Sequence, residues 1–65
     1  MQVMVRVLKA EDDGAVYLYT HRVDAANVIR KMFVLEVVEP ASNGTYNHFE
    51  YPWNRVVSIS WSSEH

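Results

Sequence analysis

The sequence predicts a mainly-β (α+β) domain: five antiparallel strands in a sheet curled into a small, partly open barrel, with one short helix between strands 2 and 3. Three observations carry this. Apolar and polar residues alternate over several short stretches, the period of a strand with one buried face. Turn-forming clusters, Glu11-Asp12-Asp13-Gly14 and Ser42-Asn43-Gly44-Thr45, separate those stretches. Only one segment, residues 21–32, departs from that period.

In residues 2–9, Val3, Val5 and Val7 share one face and Met4, Arg6 and Leu8 the other, and the β-branched residues favour a strand. After the acidic turn, Val16 and Leu18 alternate with Tyr17 and Tyr19, which completes a hairpin.

From His21 to Met32 the pattern changes. Ala25, Val28, Ile29 and Met32 fall at helical spacing, Asp24 is a suitable N-cap, and Arg30 and Lys31 suit a C-terminal turn. One or two helical turns are expected; the alternative is that Val28 onward extends the next strand.

Residues 33–39 are apolar almost throughout, and Pro40 fits near a strand end. Two registers are open for the hairpin that follows. A two-residue turn at Asn43-Gly44 sets Val38 opposite Phe49 and Glu36 opposite Tyr51. A three-residue turn with Gly44 as a G1 bulge gathers Phe33, Leu35, Val37, Phe49 and Tyr51 on one face, and is favoured. It places Glu36 opposite Glu50, a like-charge pair that needs solvent or a cation such as Arg55.

Pro52 cannot donate to a ladder and biases Tyr51 toward extended geometry, so the strand ends there and Pro52-Trp53-Asn54-Arg55 forms a corner. In the closing run Val57, Ile59 and Trp61 share one parity and Val56, Ser58 and Ser60 the other. No repeat, linker or low-complexity segment appears, so the 65 residues read as one domain.

Such a chain lies near the lower limit for a self-sufficient core. With 49% hydrophobic residues and no cysteine, disulfides and thiolate metal sites are excluded, which leaves self-association into a homodimer as a remedy for a small core. A formal charge of −2 does not suit a nucleic-acid or anionic-membrane binder that works by bulk electrostatics. No export signal or bilayer-spanning apolar run is present, so a cytoplasmic location is the expectation.

The stretch Tyr51-Pro52-Trp53-Asn54-Arg55-Val56 resembles the aliphatic-Pro-x-Asn-Tyr-Val signature of SH3-like small barrels, with Pro52, Asn54 and Val56 matching. The distal hairpin at Asn43-Gly44, followed by a strand, a one-turn helix and a closing strand, is similar to the same family. The resemblance covers about a third of the chain and implies a five-stranded SH3-like barrel. The signalling members use the motif's Pro and Tyr to hold proline-rich peptides; here Arg55 stands at the Tyr position. The run from Tyr51 to Ile59 also resembles, more faintly, the last strands of Sm-like barrels, which implies an RNA-binding oligomer.

Catalysis needs an acid/base pair or a nucleophile held close with a shifted pKa. The candidates are His21 with Asp24 and His48 with Glu39 or Glu50, and they read as solvated strand and loop residues. His21, His48, His65 and the acidic run lack metal-ligand spacing, and no cofactor is expected. The aromatics are the stronger signal. Tyr51 and Trp61 could plug the barrel ends, but the six Tyr and Trp residues exceed what so small a core can hold, and exposed Tyr, Trp and Arg favour interfaces.

The expectation is therefore a non-enzymatic protein-binding module that meets another protein through Tyr17, Tyr19, Trp53 and Arg55. An adaptor or an inhibitor of the sort a phage or mobile element encodes is one form of it. The alternative is an Sm-like oligomer in which the same aromatics and arginines hold RNA or single-stranded nucleic acid.

Overall fold

A computed structural model of the protein describes residues 1–61. Six strands form: β1 (Gln2–Ala10), β2 (Val16–Asp24), β3 (Val28–Arg30), β4 (Val34–Pro40), β5 (Tyr46–Pro52) and β6 (Val56–Trp61). The domain is mainly β, but its strands make two three-stranded antiparallel sheets, β2-β1-β6 and β3-β4-β5, in place of a single five-stranded sheet. Among the described residues no ladder joins the two sheets. Among the described residues no helix is long and apolar enough to cross a membrane.

The additional strand comes from the segment expected to be helical. β2 runs on through His21, Arg22 and Val23, the chain makes a single 3-10 turn at Ala25–Asn27, and Val28–Arg30 then pairs with β4. Asp24 does cap, its Oδ1 accepting from the Ala26 N–H at 3.0 Å. Val23, Val28 and Ile29 are β-branched, and Val28 pairs with Val37 at the edge of the core, so tertiary pairing overrides a weak helical spacing. The Pro52 corner forms where expected, as a second 3-10 turn at Trp53–Arg55.

Both hairpins use one turn. Glu11 N–H bonds the Ala15 carbonyl at 2.8 Å and Ala41 N–H the Thr45 carbonyl at 2.8 Å, with Gly14 and Gly44 at φ 87° and 82°. These are type I turns closed by a left-handed glycine, so the bulged register is the one adopted, with Glu36 opposite Glu50. Phe33, expected on the inner face, lies before β4 and is exposed, because the chain has already turned at Lys31, whose N–H bonds the Val34 carbonyl.

The sequence shows no repeat, but the fold does. Position i of the first hairpin matches position i+30 of the second: Val5 pairs with His21 as Leu35 pairs with Tyr51, and Ala10 with Val16 as Pro40 with Tyr46. After each hairpin a 3-10 turn carries the chain to the other sheet, so each half lends its third strand to its twin. Val28 meets Val37 as Val56 meets Val7. Beyond Val56 the register shifts between Arg6 and Val7, leaving Val57 exposed and turning Val56 and Ile59 toward the core. That bulge breaks the single parity expected of the closing strand.

The core is Val3, Val5, Val7, Val23, Leu35, Val37 and Tyr51, flanked by Val28, Phe49, Val56 and Ile59. Each large side chain so buried contributes roughly 1.5–3 kcal/mol. Trp61 plugs nothing, being 65% exposed. Among the described residues one polar side chain, His21, is buried with them at 1% exposure.

Candidate functional site

The parity of β1 that buries Val3, Val5 and Val7 continues to Lys9, and the parity of β2 that buries Val23 and His21 continues to Tyr19 and Tyr17. At this end of the sheets a charged and aromatic cluster replaces the aliphatic core. Lys9 Nζ lies 4.4 Å from the centroid of the Tyr19 ring, 5.1 Å from Phe49 and 5.8 Å from Tyr51. An ammonium over ring faces is attracted by their negative quadrupole face. The His21 ring meets Tyr19 edge-on at 4.7 Å and tilts against Phe49 and Tyr51.

His21 was expected beside Asp24 on a solvated segment. It is instead inside, and Asp24 lies on the opposite parity of β2 with its carboxylate bonded to Ala26. The partners of His21 come from the other half: Nδ1 is 2.5 Å from Glu39 Oε2 and Nε2 is 2.6 Å from the Tyr51 hydroxyl. Nδ1–H donates to the carboxylate, and Nε2 shares the second hydrogen bond with the phenol. Burial pushes the Tyr51 hydroxyl up to about 12, with smaller contributions from Tyr19, Glu39 and Tyr17, which keeps it a donor. The three groups satisfy one another, and no buried side-chain polar atom among the described residues lacks a partner.

On the outer face of β4 and β5, Lys31 Nζ sits 2.9 Å from Glu36 and 3.2 Å from Glu50. It is the cation the facing glutamates require, in the place where Arg55 was expected. His48 pairs with Glu36 at 2.7 Å, not with Glu39 or Glu50, because Glu36 is its diagonal neighbour across the ladder. His48 and then Lys31 hold the Glu36 carboxyl below the usual carboxylate range. Among the described residues no three His, Asp or Glu side chains converge as metal ligands, and His65 lies outside those residues.

An open groove of about 330 Å³ runs beside the cluster, lined by Leu8, Lys9, Ala10, Tyr51, Pro52 and Arg55. Its lining carries two cations and no carboxylate, and neither cation has an ion-pair partner among the described residues. Tyr17 stands opposite Lys9 in the ladder. Tyr17, Tyr19 and Arg55 of the expected surface are thus linked through Lys9. Trp53 is directed elsewhere: its Nε1–H donates to the Lys31 carbonyl at 2.9 Å, and it leaves the same 3-10 turn two residues before Arg55.

No protein-family model, curated protein or solved structure matches this chain.

Sequence reasoning overlooked Lys9 and the meeting of His21 with Tyr51, and it set Glu39 beside His48 where the fold sets it beside His21. Lys9 was findable, since it is the one charged residue that continues the buried parity of β1. Glu39 and Tyr51 become partners of His21 only when the sheets pack, and no local signal marks that.

Proposed function

We propose that the chain is a non-enzymatic protein-binding module whose contact surface is the groove between Lys9 and Arg55, bordered by Tyr17 and Tyr19. The observation that carries this reading is an open groove with two cations lacking ion-pair partners among the described residues, set beside exposed aromatic rings. Arg offers a fork of donors to a carboxylate, Leu8, Tyr51 and Pro52 offer apolar contact, and tyrosines add area at small entropic cost. The partner is a protein segment that carries acidic and apolar side chains. Trp53, 38% exposed, gives a second contact on the other side of the same turn. A non-catalytic role is supported by the closed Glu39–His21–Tyr51 chain, whose hydroxyl is committed to His21.

In the same reading, the order hairpin, 3-10 turn, closing strand over residues 34–61 supports a likeness to SH3-like barrels, opened here into two sheets. Lys9 and Arg55 beside tyrosines would also suit stacked bases, so the test must separate protein from RNA.

A displayed library of acidic and basic peptides and a mixed RNA pool are offered to the wild-type chain and to Arg55→Glu, Tyr17→Ala and Trp53→Phe. Enrichment of acidic peptides, lost with Arg55→Glu in a chain of unchanged circular dichroism, is the expected result. Binding of RNA that falls steeply with salt, or peptide enrichment indifferent to Arg55, overturns the reading.

A further inference from the structure

The two halves of the fold contain one edge strand twice, and the copies differ in chemistry. β5 carries Asn47, His48 and Glu50 and ends in Pro52, the charges and imino acid that keep an open edge from pairing. At matching positions β2 carries Tyr17, Leu18 and Thr20, and Val16, Tyr17, Leu18 and Tyr19 are 59, 41, 55 and 37% exposed. Since the fold accommodates a polar strand at this place, the apolar one answers to something else. The other edges are guarded: β3 is three residues long and β6 is bent by its bulge. β2 pairs with β1 over its full length without irregularity, and among the described residues no strand covers its outer edge.

We propose that β2 is a self-association edge, pairing antiparallel with β2 of a second copy about Leu18. The closing bond of the turn, Glu11 N–H to Ala15 carbonyl, fixes which residues bond to β1, and by alternation Val16, Leu18, Thr20 and Arg22 present their backbone groups outward. Centred on Leu18, the pairing sets Leu18 against Leu18, Val16 against the second copy's Thr20, and Tyr17 against its Tyr19. No charge lies in that stretch, so no like-charge pair opposes it. Beyond it, Arg22 comes opposite the second copy's Gly14, next to the acidic turn residues Asp12 and Asp13, which supplies attraction at both ends of the pairing. An extended strand of a different protein would gain the backbone bonds but not this complementarity.

The result is a two-fold dimer with one continuous six-stranded sheet, β6-β1-β2 joined to β2-β1-β6. It places four tyrosines together between the two grooves. The dimer does not depend on what the groove binds.

Sedimentation equilibrium and amide hydrogen exchange, both followed against concentration on the full chain, test it. Mass should rise from one chain to two. Amides of Val16, Leu18 and Thr20 should gain protection as it does, while those of Tyr17 and Tyr19, bonded to β1, stay protected throughout. Leu18→Lys should raise the dissociation constant roughly tenfold or more without altering circular dichroism, and an equimolar mixture with Leu18→Glu should restore the dimer. Arg55→Glu should dimerise as the wild type does. A monomer up to millimolar concentration, or a dimer whose constant ignores Leu18→Lys and whose edge amides gain no protection, overturns the proposal.

Discussion

His21 and Tyr51 occupy the same position in the two halves of the fold, thirty residues apart, and hydrogen-bond to each other, Nε2 to Oη at 2.6 Å. Their neighbours are likewise matched. Tyr19 and Phe49 both pack on the imidazole, while Lys9 and Glu39 supply opposite charges to the cluster. The structural relation between the halves thus passes through the buried polar site formed by His21 and Tyr51, where matched positions hold different residues.

Tyr51→Phe removes the hydroxyl and leaves His21 Nε2 buried without a partner. A loss of about 1–3 kcal/mol is expected in denaturant unfolding. His21→Leu should cost more, since it strands both the phenol and the Glu39 carboxylate. In a double-mutant cycle the two substitutions should be strongly non-additive.

The raised Tyr51 pKa fixes a pH dependence. The folded chain holds the phenol proton up to about 12, whereas the unfolded chain releases it near the ordinary tyrosine value of 10.0. Between those values the native state binds more protons, so stability is complete below the lower one and is lost as pH rises through the upper. Unfolding curves across that window, with phenolate absorbance as the second readout, should show a decline that Tyr51→Phe reduces, the remainder including the raised pKa of Lys31.

Lys31 bridges two glutamates that face each other across β4 and β5. Lys31→Met should destabilise the chain modestly, less than Tyr51→Phe, and Glu50→Gln should rescue the variant by removing one of the facing charges. The depressed Glu36 carboxyl gives a second test: its stabilisation is present above the unfolded value of 4.5 and is lost as pH falls through the lower folded value. In the Lys31→Met chain this acid limb should shrink.

Gly14 and Gly44 adopt positive φ in equivalent turns, with open space where a Cβ would stand. The cost of alanine is therefore backbone strain alone. Gly14→Ala and Gly44→Ala should each lose about 1–2 kcal/mol, to the same degree, when thermal unfolding is compared.

Alternation over residues 2–9 placed β1, the nearly continuous apolar run 33–39 placed β4, Gly14 and Gly44 placed the turns, and Pro52 placed the end of β5. The bulged register followed from gathering Leu35, Val37, Phe49 and Tyr51 on one face, which outweighs the Glu36–Glu50 conflict because burial of those rings and chains is worth more than a solvated repulsion. The segment at 21–32 misled because Ala25, Val28, Ile29 and Met32 mimic a helical stripe. In the fold Met32 is 83% exposed and Val28 is held by β4.

By itself, then, the chain determined what lies within a few residues: strands, turns, the Asp24 cap and the Pro52 corner, each set by side-chain parity or by allowed φ. The exchange of third strands between halves, the burial of His21 against Glu39 and Tyr51, and the setting of Lys9 over three rings were decided only when two sheets packed. Those contacts join residues far apart in sequence, and a three-residue strand such as β3 carries no period of its own. Its partner is chosen by which faces meet, a property of the assembled molecule.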